Sequence, residues 1–78
     1  IDLSKIKVGN IFKWLKKNQI SEGDMLTTFN CGVGFCIIVK KKNVNKIKKR
    51  FSRKYMPYEI GFISEDMHKN NLFNKIKW

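Results

Sequence analysis

The order of apolar and polar residues predicts a short amphipathic helix near the start of the chain. It runs from residue 11 to about residue 18, with Asn10 as its cap. Ile11, Trp14 and Leu15 share one face, because the last two follow Ile11 by three and four residues. The lysines at positions 13, 16 and 17 are left to face water.

A second helical turn is predicted after Ser21. Asp24 follows three residues later and completes a weak capping box. The turn carries Met25 and Phe29 inward. Four aromatic residues that have apolar neighbours at helical spacing are expected in the core: Phe12, Trp14, Phe29 and Phe51.

Two apolar runs predict strands on either side of a third helix. Residues 33–40 are rich in β-branched and aromatic side chains and are apolar on both faces, which is typical of a strand buried between two layers. Asn43 then caps a helix over residues 44–54, Pro57 marks that it has ended, and residues 58–64 form the next strand. A right-handed crossover makes the two strands parallel.

The last part of the chain predicts an edge strand. Residues 64–71 are polar and contain His68, the only histidine, which we expect in solvent. Residues 72–78 alternate loosely between apolar and polar side chains, and their lysines discourage pairing with other molecules. Together these elements predict an α+β fold in which helices cover a mixed sheet.

Composition limits the class of protein. A chain of 78 residues forms at most one small domain with a thin core. The formal charge is +11, yet 15 of the 17 basic residues are lysine and alanine is absent, which is the bias expected of an AT-rich gene. Lysine then accumulates at solvated positions, and this is our first interpretation of the basic excess. No apolar stretch approaches the roughly 20 residues of a membrane span.

The alternative interpretation of the charge is a small basic module that binds RNA or another polyanion. Four basic residues share a stripe of the predicted third helix: Lys46, Lys49, Arg50 and Arg53. Residues 40–42 and the remaining lysines of the helix extend this basic surface. Binding that survives physiological salt would distinguish such a module from general electrostatic attraction.

The two cysteines do not predict a metal site. Cys31 and Cys36 lie five residues apart, and no paired Cys or His spacing typical of zinc occurs. On a strand, Cys36 would point away from Phe35 and Ile37 and be a small buried apolar group. A straight strand would also hold the two cysteines too far apart for a disulfide. Free thiols suit a cytoplasmic protein.

A polar and glycine-containing segment precedes the first predicted strand. Thr28 and Asn30 offer a hydroxyl and an amide, and Gly32 and Gly34 allow the backbone to approach a ligand closely. This is typical of a turn that lines a site. The alternative is structural, with the polar side chains bonding to their own turn and the glycines serving left-handed backbone or close packing. The sequence leaves both interpretations open.

Residues 24–35 resemble a segment near the C-terminus of phosphoribosylformylglycinamidine cyclo-ligases, also called aminoimidazole ribonucleotide synthetases. That family's segment has the form Glu-Met-Tyr-Arg-Thr-Phe-Asn-(Cys/Met)-Gly-(Val/Ile)-Gly-Met. Residues 11–15 resemble the family's Val-Phe-x-Trp-Leu helix, and residues 60–63 resemble its Ile-Gly-x-Ile strand. Four positions of the main segment depart from the pattern: Asp24, Leu26, Thr27 and Phe35.

The resemblance implies a fold and an activity. Residues 1–78 would be part of the C-terminal domain of the aminoimidazole ribonucleotide synthetase-like fold, without the N-terminal ATP-binding domain. The family's enzymes are ligases that form a C–N bond and close formylglycinamidine ribonucleotide to aminoimidazole ribonucleotide in de novo purine biosynthesis. They use ATP and Mg²⁺, and they are cytoplasmic homodimers with an active site between the two domains.

The same resemblance implies which residues bind substrate: Thr28, Asn30, Gly32 and Gly34. The two polar side chains would donate hydrogen bonds to a phosphate or ribose, and the glycines would let backbone N–H groups point at the ligand. The sequence has no phosphate-loop pattern and only six, ungrouped acidic residues, so it predicts neither catalytic residues nor a metal site here. We expect the chain alone to be inactive, with no membrane and no specific nucleic-acid partner.

Overall fold

The computed structural model describes residues 1–65 and 71–78. Within these ranges lie three helices, α1 (Asn10–Lys17), α2 (Glu22–Thr28) and α3 (Val44–Lys48). Three single 3₁₀ turns accompany them, at Leu3–Lys5, Lys41–Asn43 and Arg53–Tyr55. The prediction for His68 lies outside the described residues, as does most of the polar stretch around it.

A small apolar core joins the N-terminal segment, α2 and the end of the chain. Met25 and Cys31 are fully buried, and Leu3 and Ile76 are nearly so. Seven partly buried apolar residues pack around them: Ile6, Val8, Phe12, Leu15, Ile20, Leu26 and Trp78. The predicted inward position of Met25 is confirmed, whereas the prediction that Phe29 is a core residue is wrong, because Phe29 is exposed. A core with so few members gives each buried side chain a large share of the total stability.

The helix starts follow the predicted capping residues only in part. Ser21 Oγ accepts a hydrogen bond from the backbone N–H of Asp24 at 3.2 Å, which confirms the predicted cap of α2. Gly9, and not Asn10, is the residue that precedes α1, so the predicted cap of that helix is wrong by one residue. Asn43 precedes α3 as predicted, but its side chain makes no capping hydrogen bond.

The buried face of α1 differs from the predicted one. Phe12 and Leu15 pack against the core, and the Phe12 ring lies 6.0 Å from the ring of Phe29. Trp14 remains 58% exposed and Ile11 is equally open to solvent, so the prediction that Trp14 is a core residue is wrong. The cause is the contact with α2, which turns the Phe12 side of the helix inward.

The third helix is shorter than the sequence predicts. It ends at Lys48 instead of residue 54, and Phe51 is exposed instead of buried. A longer helix would place Lys46 beside Lys49 and Arg50, and like charges three and four residues apart destabilise a helix. The four basic residues of the predicted stripe therefore do not lie on one helix.

Residues 33–40 are not a strand in this structure. They pair with no other strand in the part of the chain that the structure describes, and their side chains are largely open to solvent. Phe35 is 87% exposed and Ile38 is 77% exposed, and Cys36 is exposed where the sequence predicted burial. An apolar run becomes a buried strand only when a neighbouring strand accepts and donates its backbone hydrogen bonds. The predicted mixed sheet stays a prediction.

The N-terminal segment lies between two later parts of the chain. The backbone N–H of Asp2 donates to the carbonyl of Ile60 at 2.7 Å, and that of Leu3 donates to the carbonyl of Phe73 at 2.9 Å. Asp2 and Phe73 form a parallel β-bridge. The bridge falls within the predicted last strand, but a strand ladder does not extend from it among the described residues. Backbone contacts of the first three residues therefore join the two ends of the chain.

The side chain of Asp2 reinforces this junction. Its Oδ1 atom accepts hydrogen bonds from the backbone N–H and the hydroxyl of Ser4, at 3.0 and 2.6 Å, and from the amide of Asn74 at 3.0 Å. The bond from the Ser4 side chain and then that from Asn74 lower the pKa of Asp2 below its ordinary value of 3.8. The carboxylate is thus the acceptor that ties positions 2 and 74 together.

We predict that acid weakens the fold through Asp2. Because its pKa is lowered in the folded chain, the ionised carboxylate stabilises the fold above pH 3.8, and this contribution is lost as the pH falls below that value. Asp2→Asn keeps an acceptor oxygen without the charge. Urea unfolding midpoints measured between about pH 6 and about pH 3 should therefore fall more for the wild-type chain than for this variant. If the urea midpoint fell by the same amount with pH in both proteins, the assignment of the acid sensitivity to Asp2 would be contradicted.

Candidate functional site

A tight turn stands at the centre of the glycine-containing segment. The backbone N–H of Val33 donates to the carbonyl of Asn30 at 3.0 Å, which closes a β-turn. Its two central residues, Cys31 and Gly32, have φ values of 53° and 113°. Positive φ at both positions is the geometry of a primed turn, in which glycine is favoured. The side-chain oxygen of Asn30 also accepts from the N–H of Gly32 at 3.0 Å.

The turn is packed onto the segment that leads into α1. A Cβ atom at Gly32 would lie 2.8 Å from the carbonyl oxygen of Lys7 and 3.1 Å from the nitrogen of Gly9. The N–H of Gly9 donates to the carbonyl of Cys31 at 3.4 Å. Glycine is therefore required at position 32 for two reasons. The backbone has a positive φ there, and a side chain would collide with the backbone of Lys7 and Gly9.

The thiol of Cys31 belongs to the core. Its side chain is 2% exposed, and its sulfur lies 3.8 Å from the carbonyl oxygen of Met25 and 3.9 Å from that of Phe29. Burial raises the pKa of Cys31, so the thiol stays protonated at neutral pH. A protonated and enclosed thiol is a poor nucleophile. Cys36 is exposed, and both cysteines are free.

The four predicted substrate-binding residues divide into two pairs. Asn30 and Gly32 are engaged in the turn. Thr28 is the last residue of α2 and is exposed, and its hydroxyl has no hydrogen-bond partner among the described residues. Gly34 is exposed, and a Cβ atom there would have no neighbour within 4 Å. The first pair therefore forms the turn, and substrate binding by any of the four residues stays a prediction.

Sequence reasoning did not find the role of Lys7. Its backbone N–H donates to the hydroxyl of Tyr58 at 3.0 Å, and its ammonium nitrogen lies 4.7 Å from the centre of the Tyr58 ring. The carbonyl of the same residue faces Gly32. Lys7 thus connects the turn to residue 58. No local pattern signals a contact between residues 51 positions apart.

The described part of the chain has neither a cluster of metal-binding side chains nor a helix that could cross a membrane. It contains no group of three or more His, Cys, Asp and Glu side chains placed to hold a metal. Among its helices, none has both the length and the apolar character needed to cross a bilayer.

Comparison with known proteins returns cyclo-ligases. The chain is 34% identical over 70 residues to the phosphoribosylformylglycinamidine cyclo-ligases of Prochlorococcus marinus strains NATL1A and NATL2A, which is 87% of this chain and 20% of each relative. It is 40% identical over 63 residues to the enzyme of that name from Lactobacillus helveticus strain DPC 4571, which is 78% of this chain and 18% of the relative.

The chain therefore spans about a fifth of the length of the curated relatives it matches. No family model matches the sequence, and no solved structure matches it. The similarity supports a link with the cyclo-ligases over this part of their length.

We predict opposite results for alanine at the two glycines of the motif. Gly32→Ala should destabilise the chain by roughly 1–3 kcal/mol, because it forces a side chain into a left-handed conformation against the Lys7 carbonyl. Gly34→Ala should change stability by no more than about 0.5 kcal/mol, because its surroundings are open. Urea unfolding of both variants measures the difference. Equal losses of stability would show that the turn is not built as described.

Proposed function

We propose that this chain is a segment of a phosphoribosylformylglycinamidine cyclo-ligase, from the C-terminal domain of that ATP-dependent ligase. The full enzyme would close formylglycinamidine ribonucleotide to aminoimidazole ribonucleotide in purine biosynthesis. The observation that carries the proposal is the similarity of 34–40% over 63 to 70 residues, which includes the motif from Thr28 to Gly34. The cytoplasmic location and the homodimer of the resembled family belong to the same proposal.

Within this proposal the motif residues have two tasks. Asn30 and Gly32 hold the turn, since the side-chain oxygen of Asn30 accepts the Gly32 N–H and Gly32 packs against the Lys7 backbone. Thr28 and Gly34 flank the turn and contact the substrate. The exposed hydroxyl of Thr28 donates a hydrogen bond to a phosphate or ribose oxygen, and the backbone N–H at Gly34 points at the same ligand. A rigid turn between the two contact residues fixes their separation.

ATP and Mg²⁺ do not fit the described part of this chain. It presents no cluster of carboxylates for the metal, and its sequence has no phosphate-loop pattern. In the proposed enzyme these groups are held by the rest of the polypeptide, and this segment supplies one wall of the nucleotide-binding cleft. The isolated chain should accordingly release no ADP.

The exposed apolar run at residues 35–39 supports a larger folding unit. Phe35 and Ile38 are mostly open to solvent, although apolar side chains of this size are normally covered. In the proposed enzyme the remainder of the C-terminal domain covers this run and pairs with its backbone. That pairing would complete the mixed sheet which the sequence predicts.

The test of this proposal uses the complete enzyme that contains the chain. It should release ADP from ATP in a reaction that depends on formylglycinamidine ribonucleotide. Thr28→Val removes a hydroxyl that makes no hydrogen bond among the described residues, so the melting temperature should not change. The value of kcat/KM should fall by about 10- to 100-fold, which corresponds to the loss of one hydrogen bond to a charged group.

Thr27→Val is the matched control. The hydroxyl of Thr27 donates within α2 to the carbonyl of Gly23 at 2.8 Å. Removing this hydroxyl therefore removes a hydrogen bond of the helix and no proposed contact with the ligand. Its kcat/KM should stay within about twofold of the wild-type value. A folded complete enzyme without substrate-dependent ADP release contradicts the function. Normal turnover of Thr28→Val contradicts only the assigned contact.

A further inference from the structure

The positive charge of this chain is concentrated in one segment. Nine of the fifteen residues at positions 40–54 are Lys or Arg, including both arginines of the chain. From Met25 to Tyr58 there is no acidic residue. A codon bias towards lysine raises the frequency of lysine at all solvated positions. Such a bias does not explain why more than half of the basic residues lie within a fifth of the chain. We name residues 40–54 the basic segment.

The charges of the basic segment are not neutralised within the described part of the chain. None of its nine cationic side chains forms an ion pair with a residue in the part of the chain that the structure describes. Eight of the nine are exposed, and Lys48 is half-buried. Like charges at this density repel one another, and a bound polyanion relieves the repulsion and releases its own counterions.

The fold brings part of the basic segment around one groove of about 600 Å³. The 3₁₀ turn Lys41–Asn43 leads directly into α3, and Lys42 from the turn, Lys46 from the helix and Arg50 from the residues after it all line the groove. The residues that line the groove are Val39, Lys40, Lys42, Asn43, Lys46, Ile47 and Arg50. Four cations thus line the groove together with the apolar side chains of Val39 and Ile47.

Two exposed aromatic residues come soon after the groove residues in the sequence. Tyr55 is 68% exposed, and the ammonium of Lys54 lies 5.4 Å from the centre of its ring. Phe51 is also exposed. Tyr55 follows Arg50 by five positions, so their Cα atoms are at most about 18 Å apart. Cationic grooves bind the phosphates of a single strand, and exposed aromatic rings stack on its bases.

We propose that this groove binds single-stranded nucleic acid without base-sequence preference. Lys42, Lys46 and Arg50 contact successive phosphates, and Tyr55 stacks on a base. Nucleic acid is favoured over a membrane surface because cations line a groove and an exposed tyrosine follows them in the sequence, which provides for both phosphates and bases. The proposal concerns a surface other than the motif at residues 28–34, and it does not depend on ligase activity.

The test measures fluorescence anisotropy of a labelled oligouridylate of about 12 nucleotides with the 78-residue chain. The groove variant carries Lys42→Gln, Lys46→Gln and Arg50→Gln. The matched control carries Lys13→Gln, Lys17→Gln and Lys75→Gln, three exposed lysines outside the groove, and loses the same charge. Circular dichroism checks that both variants remain folded.

The groove variant should bind at least about 10-fold more weakly than the wild-type chain, and the control should bind less than about threefold more weakly. The slope of log affinity against log salt should fall by about 2 in the groove variant, since each lost phosphate contact on a single strand removes about 0.7. Tyr55→Ala should weaken binding by about fivefold or more, and Tyr55→Phe should not.

Equal losses in the groove variant and the control would overturn the proposal, because binding would then reflect net charge alone. Binding to phosphatidylserine vesicles without binding to the oligonucleotide would also overturn it and would assign the surface to lipid. An NMR titration of the wild-type chain needs no variant. Shifts confined to residues 39–55 support the groove, and shifts scattered over all lysines contradict it.

Discussion

The fold of this chain depends on the left-handed turn that follows α2. With Cys31 and Gly32 at positive φ, the backbone reverses at once and places the Cys31 thiol beside Met25 in a core of very few buried residues. The same turn meets the backbone of Lys7 and Gly9, so it also fixes the segment from which α1 begins. A small core has little redundancy, so a contact that joins these parts of the chain has a large share in the stability of the fold.

That constraint shapes what the motif can do. The side-chain oxygen of Asn30 serves the turn, and Thr28 and Gly34 lie on either side of the turn and are exposed. The exposed apolar run at residues 35–39 follows directly, and the basic segment follows that run. The two proposed binding surfaces therefore lie at opposite ends of one apolar stretch, which the rest of a larger domain would cover.

Local features of this fold were predictable from the sequence, and distant ones were not. The Ser21 cap and the inward position of Met25 depend on neighbours within a few residues, and both predictions are confirmed. The strand predicted at residues 33–40 needs a second strand to pair with, and the pattern of apolar residues does not reveal whether one is present. The bridge between Asp2 and Phe73 joins residues 71 positions apart, and no pattern in either segment signals it. For the motif, the sequence offered both a structural and a ligand-binding interpretation. The hydrogen bonds show that Asn30 and Gly32 form the turn, and ligand binding stays a prediction.

The measurement that tests the central claim most directly is the reactivity of the two thiols in the folded chain. Cys36 is exposed and should react with an aromatic disulfide reagent at the rate of a free thiol, while Cys31 should react at least about 100-fold more slowly and only as the fold opens. Peptide mass spectrometry assigns each modification, and urea should abolish the difference. Equal and rapid labelling of both cysteines without denaturant would contradict the account, because the turn would then not bury Cys31.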